Sequence, residues 1–215
     1  MHEVAQLVRE RGLMVLPQVT AAEFQAVMTD LGSIYHHPDG DQHGQTLISP
    51  SGRQGEPGSG FTMQALPVHT DRSSLPDPPR FLGMHLVRHD VSMGGTPLFA
   101  DLDLVRAGLS QETVASLLIE MTSDGRRLPV RLGHSCGLRY RDDAYGRLVG
   151  PRDLVSEIRR RTTQITQVVD WLISGDAYII DNHRIAHGRT AITHPDRIGM
   201  RILAYSPEQT RTMQL

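Results

Sequence analysis

Pro67-Val-His-Thr-Asp71 and Asn182-His-Arg-Ile-Ala-His-Gly-Arg189 are the two stretches on which the reading of this chain turns. In an extended segment, residues i and i+2 point to the same face. His69 and Asp71 therefore send one imidazole nitrogen and one carboxylate oxygen toward a common point. The second stretch follows Ala177-Tyr-Ile-Ile180, a short apolar run that predicts a strand, and it offers His187 as a second imidazole. His183 lies four residues before His187, a spacing that shares a face only in a helix, and the local pattern is strand and turn.

Val4 to Arg11 predicts a short amphipathic helix stopped at Gly12. Leu13 to Pro17 predicts a strand. Thr20 followed by Glu23 is a capping-box signature for a helix running to about Leu31. Pro50 to Gly60, rich in Gly, Pro and Ser, predicts a loop, and its place just before His69 makes it a candidate lid. Phe81 to Val87 and Leu98 to Asp101 predict strands joined through Gly94-Gly95. Ser110 to Met121 predicts a helix, and Leu128 to Leu132 and Leu138 to Tyr140 predict further strands. Leu154, Ile158, Ile165, Val169 and Leu172 recur at helical spacing, with Gly175 as the stop. Ile198 to Tyr205 predicts the last strand. Short strands with a few helices and no regular βαβ alternation point to an α+β protein on an antiparallel barrel or sandwich. No linker or repeat divides residues 1–215, so one domain is expected.

The net charge of −2 gives no electrostatic case for nucleic acid or an anionic membrane. Arg159-Arg-Arg161 reads as a solvated helix face. One cysteine, Cys136, excludes a disulfide framework and a multi-cysteine zinc site. The chain lacks a hydrophobic targeting region and a run of 18 apolar residues, so a cytoplasmic enzyme is the expectation.

Two histidines and one carboxylate on one face of a metal leave the opposite face open, the arrangement of non-haem Fe(II) oxygenases. If a 2-oxo diacid cosubstrate fills that face, its far carboxylate needs a cation, and Arg suits a planar partner. Arg197, at the start of the last predicted strand, can run beside the His187 segment and reach the same pocket. Thr96, beside Gly94-Gly95, can add a hydroxyl. His36, His37, His43, His85, His89, His134 and His194 have no comparable geometry.

With these residues in place, the chain resembles the taurine dioxygenase and clavaminate synthase-like family of 2-oxoglutarate oxygenases. The matching segments are Pro67 to Asp71, Gly94-Gly-Thr-Pro-Leu-Phe-Ala-Asp101, Asn182 to Thr190, Asp196-Arg-Ile-Gly-Met-Arg201 and the N-terminal Leu7 to Pro17. The resemblance implies a double-stranded β-helix, or jelly roll, with flanking helices. It implies His69, Asp71 and His187 as iron ligands, and Thr96 and Arg197 at the 2-oxoglutarate carboxylate. It also implies Arg201 as a cation for an anionic group of the substrate. The activity implied is Fe(II)- and 2-oxoglutarate-dependent hydroxylation by O2 of a small carboxylate-bearing substrate, such as an amino acid or biosynthetic intermediate. Desaturation and cyclisation are alternative outcomes of the same oxidant. The span from His69 to His187 is short for the family, which puts lid and oligomer-forming insertions in question.

Gly133-His-Ser-Cys-Gly137 matches G-x-S-x-G and offers a different class, a hydrolase with Ser135 as nucleophile and Asp176 and His187 in triad order. That motif needs a strand before it and a helix after it, whereas Leu138 to Gly146 reads as strand and turn.

Overall fold

The computed structural model describes residues 2–50, 60–133 and 137–213. The candidate lid lies, over residues 51–59, outside the described residues, and so does Ser135. In chain order the elements are α1 (His2–Arg11), β1 (Leu13–Leu16), α2 (Ala21–Leu31), β2 (Ser33–Ile34), β3 (Thr46–Ile48), β4 (Leu66–His69), β5 (Phe81–Arg88) and β6 (Pro97–Asp101). They continue with α3 (Leu102–Val105), α4 (Gln111–Ala115), β7 (Leu118–Met121), β8 (Arg127–Pro129), β9 (Gly146–Val149) and α5 (Arg152–Ile165). The last are β10 (Gln167–Val168), β11 (Ala177–Asp181), β12 (Ile185–Arg189), β13 (Ile198–Tyr205) and α6 (Pro207–Met213).

The first third follows its local signals. Gly12, at φ +81°, ends α1, and its N–H donates to the Val8 carbonyl. The Thr20 side chain accepts from the Glu23 N–H while Glu23 reaches back to the Thr20 N–H, so the capping box is complete. Two helix expectations fail. Ser110 caps α4, but the helix ends at Ala115, and Leu118–Met121 becomes the central strand of a small sheet. Ile119 and Met121 are buried there, and Glu120 on the other face takes ion pairs from Arg127 and Arg147 on both neighbours. The second helix stops at Ile165 rather than reaching Gly175. Thr166 is extended, and Gln167 and Val168 pair with Phe99 and Leu98. The segment Ile165-Thr-Gln-Val-Val169 is β-branched at every position but Gln167, which favours a ladder over another helical turn.

All strand pairs are antiparallel. One sheet runs β1-β11-β5-β13-β2, with β3 also on β13. A second runs β10-β6-β12-β4, and a third β8-β7-β9. Strand alternation sorts the side chains into three cores. Phe81, Ile179, Met200 and Ile202 face outward from the first sheet and meet Val8, Phe24, Met28 and Leu31 of α1 and α2. Each such fully buried side chain contributes about 1.5–3 kcal/mol. Gly83 permits the approach, since a Cβ there would lie 2.5 Å from Met28 Sδ and 2.6 Å from the Phe24 ring. Leu82, Met84, Leu86, Tyr178, Ile180 and Leu203 face the other way and pack on Phe99 and Ile185 of the second sheet. Ala100 and Ala186, on that sheet's far face, pack with α5 and the small sheet. The first two sheets thus lie face to face. No helix among the described residues is long and apolar enough to cross a membrane.

Register sets what the two sheets present to each other. On the first sheet Tyr178, Met84 and Arg201 are lateral neighbours on β11, β5 and β13. On the second, His69, His187 and Phe99 are lateral neighbours on β4, β12 and β6. The two rows meet at one end where Tyr178 sets its ring edge-on to Phe99, centroids 4.9 Å apart. At the other end Arg201 Nη1 reaches Asp71 Oδ2 at 2.8 Å.

Candidate functional site

Between the rows lies a cavity of about 280 Å³ lined by His69, Asp71, His187, Arg197 and Arg201, with Met84 and Tyr178 on the apolar wall. His69 ends β4 directly opposite His187 on β12, and their rings stand 4.7 Å apart. His69 Nδ1 lies 2.9 Å from the Pro67 carbonyl, which can only accept. That nitrogen therefore carries the proton, and Nε2 keeps its lone pair for a ligand. Burial, reinforced by Arg141, pushes His69 down to about 4. Burial and the neighbouring His69 push His187 down to about 3. Both rings are neutral at ordinary pH. Burial alone would raise Asp71, but Arg201 and the two histidines outweigh it and hold the carboxyl below the usual range.

Asp71 is fixed from behind by Asn182, which is fully buried. The Asp71 N–H donates to Asn182 Oδ1 at 2.7 Å. Asn182 Nδ2 donates to the carbonyls of Asp71 at 3.0 Å and Pro79 at 2.9 Å. Only this orientation of the amide satisfies all three partners. Arg72, the next residue, sits at φ +55°, and its guanidinium lies 5.3 Å from the Tyr35 ring centroid.

Two buried arginines shape the mouth, and both bind backbone. Arg139 donates to the carbonyls of Ser73, Leu75 and Pro76 at 2.7–2.8 Å, and burial lowers it to about 10. Arg189 donates to the carbonyls of Gly60, Thr62 and Gln64 on the other side. The loops flanking β4 are thus gathered onto guanidinium groups.

Arg197 is buried, and its stem lies flat on Gly95. A Cβ at Gly95, which has φ +65°, would fall 2.5 Å from Arg197 Nε. Among the described residues its side chain has no ion pair, and burial lowers its pKa. Asp90 accepts from the N–H groups of Ser92, Thr193 and His194 and from the Thr193 hydroxyl, tying the Gly94-Gly95 turn to the segment before Arg197. Thr96 does not line the main cavity. It borders a smaller one behind Arg197, and its hydroxyl donates to the Met93 carbonyl at 2.6 Å.

The sequence-derived residues His69, Asp71, His187, Arg197 and Arg201 come together, and Thr96 stands one layer back. Among the described residues no three His, Cys, Asp or Glu side chains are closed around one point as they stand, since Asp71 turns to Arg201. The donors nonetheless fit a divalent ion. Two neutral imidazoles and one anionic carboxylate share the cavity, and His187 Nδ1 is buried without a partner. Closing the third ligand asks Asp71 to share or release Arg201. Of the hydrolase features among the described residues, Asp176 is occupied by Gln18 and the Ile173 N–H, and Gly137 to Val149 contains no helix.

Antiparallel facing sheets with this histidine and carboxylate wall define the class, and the sequence agrees. The chain belongs to the taurine catabolism dioxygenase TauD/TfdA family, whose pattern it matches over residues 1–133. That match holds His69, Asp71 and Thr96; the strand pairing brings in His187, Arg197 and Arg201. Among solved structures, an asparagine oxygenase in complex with Fe(II), 3-hydroxyasparagine and succinate is similar, with a TM-score of 0.77 and 19% identity over 99% of this chain and 81% of that one. The non-haem iron oxygenase OrfP, in complex with Fe and 2-oxoglutaric acid, gives 0.69 at 16% identity over 100% and 82%. The PvcB protein from Pseudomonas aeruginosa gives 0.70 at 19% identity over 97% and 80%. At these identities the likeness establishes the fold. No curated protein sequence matches the chain.

Proposed function

We propose that this chain is a cytoplasmic single-domain oxygenase on a double-stranded β-helix, using Fe(II), 2-oxoglutarate and O2 to hydroxylate a small carboxylate-bearing substrate such as an amino acid. One observation carries the reading. Arg197, a buried cation with no ion pair among the described residues, opens on the same cavity as two neutral imidazoles and a carboxylate. A buried guanidinium without an anion is costly, so the site calls for an anionic ligand at that end. A diacid with a 2-oxo group answers both ends of the cavity. Family membership and solved neighbours that hold iron and 2-oxoglutaric acid support the choice. The neighbours named for asparagine and hydroxyarginine support an amino-acid substrate.

His69, His187 and Asp71 would hold the metal, whose chemistry when bound is O2 activation coupled to cosubstrate decarboxylation. The overall change is substrate C–H plus 2-oxoglutarate plus O2 to substrate C–OH plus succinate plus CO2. The chain's own part is orientation. Pro67 fixes the His69 tautomer, Asn182 sets the Asp71 backbone, and Arg197 takes the far carboxylate. Met84 and the ring of Tyr178, backed by Phe99, keep the inner wall apolar, which strengthens charge contacts by excluding water. Arg201 remains the candidate cation for an anionic substrate group, a role it reaches by sharing Asp71.

Anaerobic addition of Fe(II) and 2-oxoglutarate is expected to produce a metal-to-ligand charge-transfer band. An amino-acid panel is then expected to stimulate succinate release with one or a few members. No band, together with no succinate from any member, would overturn the reading.

A further inference from the structure

The Arg197 end of the cavity holds a second polar group, the Tyr178 hydroxyl. Tyr178 sits in Ala177-Tyr-Ile-Ile-Asp181, a strand whose neighbours are all core residues. Strand alternation sends Ala177 and Ile179 to the helix-covered face and Tyr178 to the inner face. Its ring is buried and braced edge-on against Phe99. Its hydroxyl makes no hydrogen bond to another described residue and is not sealed in the core; it is left open to the cavity that Tyr178 lines. Tyr178 and Arg197 line the same cavity, and each is the titratable side chain whose charge the other feels most strongly. Burial raises the phenol to about 12, so it carries its proton at any working pH.

Thr96 is placed differently. The alternation that turns Pro97 and Phe99 inward turns Thr96 away, its hydroxyl proton is used on Met93, and it borders the cavity behind Arg197.

We propose that Tyr178 is the hydroxyl donor that completes the Arg197 carboxylate clamp, binding the end of the cosubstrate farthest from the metal. This rests on the 2-oxoglutarate reading above. A phenol O–H aimed at one carboxylate oxygen, with the guanidinium on the other, satisfies a diacid and leaves a methyl-ended 2-oxo acid unrewarded. Tyr178 is thereby a specificity-determining residue for the cosubstrate.

The test uses Tyr178→Phe, which keeps the ring and its packing on Phe99, alongside Thr96→Val. Binding of 2-oxoglutarate and of 2-oxopentanoate, the same chain length without the far carboxylate, is measured calorimetrically under nitrogen on Fe(II)-loaded protein. Hydrogen bonds to charged groups carry enough free energy that Tyr178→Phe is expected to weaken 2-oxoglutarate on the order of tenfold or more. Its 2-oxopentanoate affinity is expected to stay within about twofold, because no charged hydrogen bond is lost there. Thr96→Val is expected to leave the preference between the two acids unchanged. Equal weakening of both acids by Tyr178→Phe, or an unaltered preference, would overturn the assignment, as would loss of the preference in Thr96→Val alone. An unsubstituted protein that binds 2-oxopentanoate as tightly as 2-oxoglutarate would overturn the cosubstrate reading itself, and the role of Tyr178 with it.

Discussion

Asn182→Ala removes a side chain that touches no ligand yet fixes where Asp71 stands. Three hydrogen bonds are lost, two of them to the Asp71 backbone. The partners left behind are the Asp71 N–H and the carbonyls of Asp71 and Pro79, all held by a fully buried amide. A buried hydrogen bond contributes about 1 kcal/mol net, and each abandoned partner costs about 1–3 kcal/mol unless water enters. Allowing one water in the vacated space, the loss is about 3–5 kcal/mol. That is a large share of the roughly 5–15 kcal/mol that holds an ordinary domain together. The melting temperature should fall by roughly 10 °C. With Asp71 no longer fixed, divalent metal should bind about 10–100-fold more weakly, as when other supporting partners of metal ligands are removed. Urea unfolding of the metal-free protein gives the first quantity, and anaerobic Fe(II) titration at a temperature where the variant is folded gives the second. A stability loss under about 1 kcal/mol would refute the hydrogen-bond accounting. Unchanged metal affinity in a destabilised variant would show that Asn182 supports the fold and not the ligand.

Other expectations follow from the same geometry. Arg197→Ala should raise the 2-oxoglutarate requirement well over tenfold, the loss of a desolvated charge contact being on the order of 2–5 kcal/mol; a rise confined to the organic substrate would exchange the roles of Arg197 and Arg201. His69→Ala and His187→Ala should each abolish turnover with the fold kept, as read by succinate release and circular dichroism; full activity in a folded His187→Ala variant would reject it as a ligand. Acid should destabilise the metal-free protein. His69 and His187 are pushed down to about 4 and 3, so between about pH 6.5 and those values the unfolded chain takes up protons that the folded chain refuses. Stability therefore falls as pH falls across that window, by up to about 1.4 kcal/mol per pH unit per histidine. His37 and His183, also lowered by burial, act in the same direction. Asp71, held below its usual range, adds its own loss only below about pH 4, where the unfolded carboxylate protonates first. Equal urea stability at pH 7.5 and pH 5 would contradict the buried, neutral state of these rings.

What could be read in the sequence depended on how local the determinant was. Gly12 and the Thr20–Glu23 capping box act within a few residues, and α1 and α2 appear where those signals put them. His69 and Asp71 were legible because strand alternation is local geometry, and His187 because its segment carries a matching motif. Leu118–Met121 was not, because its strand character comes from β8 and β9, which lie further along the chain. The apolar residues after Ile165 keep a helical spacing by coincidence; Leu172 is buried against the inner core without a helix beneath it. Tyr178 was hidden inside a run that reads as core, and only register shows which of its faces meets Arg197. Arg139 stands in an irregular segment and carries no sequence signal at all. Its role exists only because the loop after Asp71 folds over it.

That arrangement at the mouth bears on how the enzyme can change over generations. Arg139 grips the peptide carbonyls of Ser73, Leu75 and Pro76, and Arg189 those of Gly60, Thr62 and Gln64. Every amino acid offers a carbonyl, so the grip is blind to what side chain stands at those positions. Ser73 and Ser74 nevertheless face the cavity. The rim can therefore be rewritten residue by residue while its anchorage stays intact. Substrate range becomes a property that mutation can explore without endangering the wall of His69, Asp71 and His187, and libraries randomised at residues 73 and 74, with Arg139 and Arg189 left alone, are the natural place to look for new substrates.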